Sequence, residues 1–170
     1  MTRRAREFEL LVRGCSADLF RFAYWLGGDR ALAEDLVQET FLRAWRALET
    51  LRDPKQARGW LLTTLRREFA RTFERRAPGP VEDIDALAET LAAPDVLEAG
   101  LEREELVRRL MALPVNHREA LALQVLFGYR LEEIAVLLET TPATVNNWLF
   151  RARRNLLATV ESHPPRLAVP

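Results

Sequence analysis

The sequence predicts an all-α fold: two small helical domains joined by an acidic flexible linker, the second ending in a helix-turn-helix. Three observations carry this. Apolar residues recur at helical spacing along most of the 170 residues, and no stretch alternates with the period of a strand. Charge divides the chain. Residues 1–79 hold 16 basic and 11 acidic groups, net +5; residues 80–105 hold 1 and 9, net −8; residues 106–170 hold 8 and 5, net +3. The third observation is the stretch LEEIAVLLETTPATVNNWLFRARRNL, residues 131–156, where two apolar stripes flank a break.

The first helix is expected from about Arg4 to Leu26, with Phe8, Leu11, Val12, Cys15, Leu19, Phe22 and Leu26 on one face. Gly27-Gly28 ends it, because glycine takes the left-handed conformation of a helix C-terminus without strain. Asp29 caps a second helix reaching about Leu51, with Leu32, Leu36, Phe41, Ala44, Trp45 and Leu48 turned inward. Its other side carries Asp35, Glu39 and Arg43 at i, i+4, i+8, joined by Gln38, Leu42 and Arg46. Such a ladder supports its own helix; it would equally make a docking face for a partner helix.

Asp53-Pro54 breaks the chain, and a third helix follows from about Gln56 to Arg75. Trp60, Leu61, Leu65, Phe69 and Phe73 form its apolar side. Arg67, Arg71 and Arg75 make a stripe that Arg58, Arg66 and Arg76 widen. Arginines interleaved with aromatic rings suit a nucleic-acid backbone with unstacked bases, and they also suit an ordinary solvated face. The boundaries are a first domain over residues 1–77, a linker over 78–95, a second domain over 96–161 and a disordered tail over 162–170.

In the second domain a helix runs from near Val96 to Leu113, with Leu97, Leu101, Leu106 and Leu110 apolar. Pro114 opens the next, through Leu121, Val125 and Leu126 to Phe127, and Gly128 closes it. Leu131, Ile134, Ala135 and Leu138 then share a face, as do Val145, Leu149, Ala152 and Leu156. Thr141 is a good N-cap, and Pro142 falls where a missing N–H costs nothing. This is a helix-turn-helix. The outer face of its second helix carries Thr144, Asn147, Arg151 and Arg154, flanked by Asn146 and Arg153. Asn and Arg pair bidentately with adenine and guanine edges. Any small helical hairpin can carry a solvated face of this kind; Trp148 borders the buried stripe as core edge.

Function classes narrow by elimination. There is no glycine-rich phosphate loop and no catalytic constellation, and His117 and His163 are too far apart in sequence to suggest a metal site. The reading is a non-enzyme without cofactor or metal. Cys15 is the single cysteine, expected as a buried, inert thiol in a reducing cytosol. The start MTRRAREFELLVRG lacks a signal peptide's apolar core, and no run approaches the roughly 20 apolar residues of a spanning helix. A cytoplasmic protein is expected. The excess of arginine over lysine reads as genome composition.

Taken together, the blocks resemble the extracytoplasmic-function group of bacterial RNA polymerase sigma factors, over nearly the whole chain. DRALAEDLVQETFLRAWRAL resembles the family's first-domain signature, and GWLLTTLRREFARTFERR the helix after it. LPVNHREALALQVLFGYRLEEIAVLL and TVNNWLFRARRNL resemble the second domain's lead-in helix and helix-turn-helix. The resemblance implies an alternative sigma factor. The second helix (Asp35, Gln38, Glu39, Leu42, Arg43) would dock on the beta-prime clamp helices of core polymerase, with further contact to the beta subunit. The third (Arg58, Trp60, Arg66, Arg67, Arg71, Arg75) would meet the −10 element, where a flipped base is captured at a cost of a few kcal/mol. The helix-turn-helix (Thr144, Asn146, Asn147, Arg151, Arg153, Arg154) would read the −35 element in the major groove. The acidic linker would thread toward the polymerase's nucleic-acid channels. An anti-sigma factor is implied as a further partner, and the free chain as a monomer.

The chain departs from the family at several places. Arg67 and Arg71 stand where Asn and Asp are common, which shifts the balance toward phosphate contact. Asn146-Asn147-Trp148 replaces Lys-Ser-Arg, and Phe150 replaces His, so the −35 sequence does not transfer. Glu139 replaces the turn's glycine, which implies strain if the left-handed shape persists. Two other classes stay open: a helix-turn-helix repressor or activator independent of polymerase, and a sigma mimic that sequesters an anti-sigma factor.

Overall fold

Periodic apolar stripes with capped ends should fold as discrete helices, and the computed structural model holds seven, with no strand, among the residues it describes: 2–51, 53–73 and 103–158. In order they are α1 (Arg3–Gly27), α2 (Arg30–Ala47), α3 (Pro54–Phe73), α4 (Arg103–Ala112), α5 (Val115–Phe127), α6 (Leu131–Leu137) and α7 (Pro142–Leu157). The expected linker, the tail, Arg75, Arg76, Leu97, Leu101 and His163 lie outside the described residues.

Local chemistry sets the helix ends. Asp29 Oδ1 accepts the Leu32 amide at 2.9 Å and starts α2. Gly28, at φ 66°, turns the chain after α1, and its amide donates to the Tyr24 carbonyl at 2.8 Å. The last turn expected of α2 is instead a 3-10 turn, Leu48–Thr50. Leu19, Phe22 and Leu26 of α1, Leu36 and Phe41 of α2, and Leu61, Leu65 and Phe69 of α3 close the first core. Each such side chain contributes about 1.5–3 kcal/mol when taken out of water. Trp45 corrects the expected inward set: it is 38 % exposed. Its indole meets Phe8 edge-on at 5.1 Å, and the Arg4 guanidinium covers it at 4.8 Å. A cation over the ring replaces apolar burial there.

In the second helical group α5 is the hub, packed on α6 and α7 and also on α1. That placement explains why His117, Arg118 and Glu119 are buried alongside Ala120–Leu123. An Arg118 guanidinium nitrogen donates to the Met111 carbonyl at 3.0 Å, and burial pulls its pKa down to about 10. The apolar stripe of α7 is as expected: Val145, Leu149, Ala152 and Leu156 are all buried.

The two groups share one continuous apolar cluster, with α1 against α5 and α3 against α6. Phe22 and Phe127 meet across the junction, centroids 6.0 Å apart. A Cβ placed on Gly59 of α3 would stand 3.5 Å from Leu137 Cδ2 of α6.

Candidate polymerase and nucleic-acid interfaces

The α2 ladder forms because Ala33, Leu36, Thr40, Phe41 and Ala44 bury the opposite side. Asp35 and Gln38 are exposed, and Leu42 is 56 % exposed. Glu39 and Arg43 are half-buried. Arg43 Nε lies 3.0 Å from Glu39 Oε1 and 3.2 Å from Glu68 Oε1 of α3. Arg43 therefore also ties α2 to α3, while Asp35, Gln38 and Leu42 face solvent.

On α3 the arginines divide. Arg58 is turned inward: it pairs with Asp18 of α1 at 2.5 Å, and its guanidinium lies 5.1 Å over the Phe127 ring. Trp60 is half-buried against the core. Arg66 Nε lies 3.2 Å from Glu119 Oε2 of α5. An Arg67 guanidinium nitrogen lies 2.6 Å from Glu139 Oε1, in the turn between α6 and α7. Arg71 pairs with Glu68 at 3.0 Å on its own helix. Arg67 and Arg71 are exposed, and Arg66 is half-buried.

The helix-turn-helix is built as its sequence suggests. Thr141 Oγ1 accepts the Thr144 amide at 3.2 Å and starts α7. Asn146, Asn147, Arg151, Arg153 and Arg154 are exposed, and Phe150 is 62 % exposed among them. Thr144 is half-buried, its hydroxyl 2.9 Å from that of Thr141, so part of its role is capping. Arg153 donates to Gln124 of α5.

Sigma-70 region 2 matches residues 11–78, and Sigma-70 region 4 matches residues 103–156. The ECF RNA polymerase sigma factor EcfG of Rhodopseudomonas palustris is 36% identical over 81% of this chain and 76% of its own length. The chain belongs to the ECF RNA polymerase sigma factors. The ECF sigma factor SigL of Mycobacterium tuberculosis is 34% identical over 86% of this chain and 84% of its own. The fold is that of the sigma factor RpoE of Bartonella quintana, solved with the anti-sigma factor NepR. That likeness has a TM-score of 0.69 at 22% identity and covers 94% of this chain and 99% of that one. The protein is thus an alternative sigma factor, a regulator of transcription initiation.

Sequence reasoning missed three features of this sigma factor. The partners of Arg66 and Arg67, Glu119 and Glu139, lie 53 and 72 residues away. No local periodicity announces such pairs. The buried run His117–Glu119 reads as polar surface until its partners are in place: Trp148 of α7 beside His117, the Met111 carbonyl on Arg118 and Arg66 of α3 on Glu119. Cys15 is half-buried where full burial was expected. Burial still pushes its thiol up, the direction of low reactivity. No described helix is long and apolar enough to cross a membrane.

His117 makes a pH prediction. Burial first, and then the nearby Arg151 charge, hold its imidazole below the usual 6.5. The unfolded chain therefore takes a proton in a range where the folded domain refuses it. That stability is fully present above about 6.5 and is lost as pH falls toward the depressed folded value. Thermal midpoints should drop more steeply from pH 7.5 to 5.5 for wild type than for His117→Gln. Parallel curves would remove His117 as the cause.

Proposed function

We propose that this sigma factor docks on the beta-prime clamp helices of core polymerase through Asp35, Gln38, Glu39, Leu42 and Arg43, and also contacts the beta subunit. It carries α3 (Arg58, Trp60, Arg66, Arg67, Arg71, with Arg75 beyond the described helix) to the −10 element. The outer face of α7 (Thr144, Asn146, Asn147, Arg151, Arg153, Arg154) takes the −35 element in the major groove. It performs no chemistry of its own, acts in the cytoplasm and is monomeric when free. An anti-sigma factor controls it, a reading supported by the NepR-bound state of its structural neighbour. The observation that carries the promoter reading is the solvent-facing Asn147 and Arg151 on a helix whose other face is fully buried. Residues 1–77 and 96–161 are the two working domains, and the acidic stretch 78–95 connects them.

Run-off transcription tests it: purified protein and core polymerase on fragmented genomic DNA of its source, with 5′ ends mapped. Discrete starts behind a shared two-part motif are expected. Core binding without specific starts would instead support a sigma mimic. No core binding would support a polymerase-independent helix-turn-helix regulator. Within the working system, Asn147→Ala or Arg151→Ala should weaken promoters that depend on a −35 element by on the order of 1–3 kcal/mol where the lost contact is to a base edge. Equal transcription across −35 variants would take these two residues out of the interface.

A further inference from the structure

The arginines of α2 and α3 that reach another helix are answered by carboxylates. Arg43 meets Glu68, Arg58 meets Asp18, Arg66 meets Glu119 and Arg67 meets Glu139. Arg153 of α7 is different. It reaches α5 and donates to the neutral side chain of Gln124. Among the described residues no carboxylate pairs with it. A carboxylate cancels much of an arginine's charge. A carboxamide holds the guanidinium in place and leaves its charge whole.

The chemistry of the pair fixes its orientation. A guanidinium carries only donors, so the Gln124 carboxamide must turn its oxygen toward Arg153. Its N–H groups are then left without a partner among the described residues. Arg153 is exposed and Gln124 half-buried, so the free donors of both lie at the surface. The place on α7 matters too. Leu149 and Leu156, one turn to either side of Arg153, are buried. Arg153 therefore borders the outer face, on the side where α7 meets α5. When a recognition helix lies in a major groove, base edges face its centre and phosphates run along its flanks.

We propose that Gln124 of α5 and Arg153 of α7 form one clamp on a single phosphodiester of the −35 duplex. Gln124 acts twice. Its oxygen holds the guanidinium, and its N–H groups donate to the same phosphate. Fixing a long side chain before binding lowers the ordering cost on binding. The undiminished charge of Arg153 displaces a counterion from the DNA. The clamp makes α5 part of the DNA interface and sets the register of α7 in the groove. It rests on the reading of α7 as the −35 helix.

Gln124→Glu separates this clamp from a tie that serves only the fold. A carboxylate keeps the side-chain length and holds Arg153 more tightly, so a structural tie survives. It also cancels the arginine's charge and turns an acceptor toward the phosphate. The test uses holoenzyme, core polymerase with the full chain, on a fluorescein-labelled duplex promoter whose start was mapped by run-off transcription. Fluorescence anisotropy should show binding about threefold or more weaker for both Gln124→Glu and Arg153→Ala, with the slope of log affinity against log salt reduced by about 0.9. Gln124→Ala, which removes the hold and adds no charge, should weaken binding in the same direction. Circular dichroism melts of each variant check the fold. Single methylphosphonate linkages, which remove one phosphate charge at a time, locate the clamp. One linkage flanking the −35 element should weaken wild type and leave Gln124→Glu and Arg153→Ala unmoved. Wild-type affinity and salt slope in Gln124→Glu would overturn the clamp, as would the lack of any such shared linkage. A loss confined to Arg153→Ala would overturn it as well, by leaving Gln124 outside the interface. A wild-type holoenzyme indifferent to every −35 base change would instead remove the reading of α7, and the clamp with it.

Discussion

Reversing Asp35 and Glu39 to arginine together should abolish binding to core polymerase and leave helix content unchanged. The fold tolerates the change because neither residue belongs to the core. Ala33, Leu36, Thr40, Phe41 and Ala44 bury the other side of α2 and stay in place. Locally, the reversal sets position 39 against Arg43 one turn on, replacing a 3.0 Å ion pair with repulsion. Like charges at that spacing cost roughly 0.2–0.5 kcal/mol, too little to melt the helix. Arg43 keeps Glu68 as a partner at 3.2 Å.

At a docked interface the effect is larger. A patch that presented two carboxylates would present two cations, and misplaced charge at a contact costs several kcal/mol, about a hundredfold or more in affinity. Equilibrium binding of labelled protein to core polymerase, with circular dichroism as the fold control, measures both halves. Wild-type affinity in the double variant would discard the α2 docking face.

The local grammar of this chain is what made it legible. Asp29, Thr141 and Pro142 stand at helix starts, Gly28 and Gly128 at helix ends, and each does in the structure what its chemistry suggests. The α7 stripe was readable because four apolar residues at helical spacing can face only one way. The fold class follows from such signals.

What the sequence hid is long-range. Arg66 and Arg67 look like a free basic stripe until α5 and the α6–α7 turn are brought beside α3. Arg58 looks like their companion, yet it turns inward to Asp18 and Phe127. Trp45 keeps the inward phase of its helix but meets Phe8 edge-on and is covered by Arg4. In each case the partner comes from another helix, and helical periodicity says nothing of which helix arrives. The same limit applies to α5, where Arg66 of α3 covers Glu119 and the Met111 carbonyl takes up Arg118.

Leu149→Ala should cost the second domain about 2–5 kcal/mol, the range for emptying a fully buried leucine site. Leu149 is 1% exposed, in a stripe with Val145, Ala152 and Leu156 that packs α7 onto α5. Truncation leaves a cavity there, since α5 also packs on α1 and α6 and cannot collapse into the space freely. Chemical denaturation of the full chain, followed by circular dichroism, should show the loss. Arg151, two residues on, points to solvent, and Arg151→Ala should leave the denaturation midpoint within about 0.5 kcal/mol of wild type, as for other surface sites. Promoter use should fall in both variants, but for different reasons. With Leu149→Ala the loss should be recovered as temperature is lowered and the domain refolds. With Arg151→Ala it should persist at every temperature, because the missing group is the contact itself. Recovery of both, or of neither, would contradict the division of α7 into a face that holds the fold and a face that reads DNA.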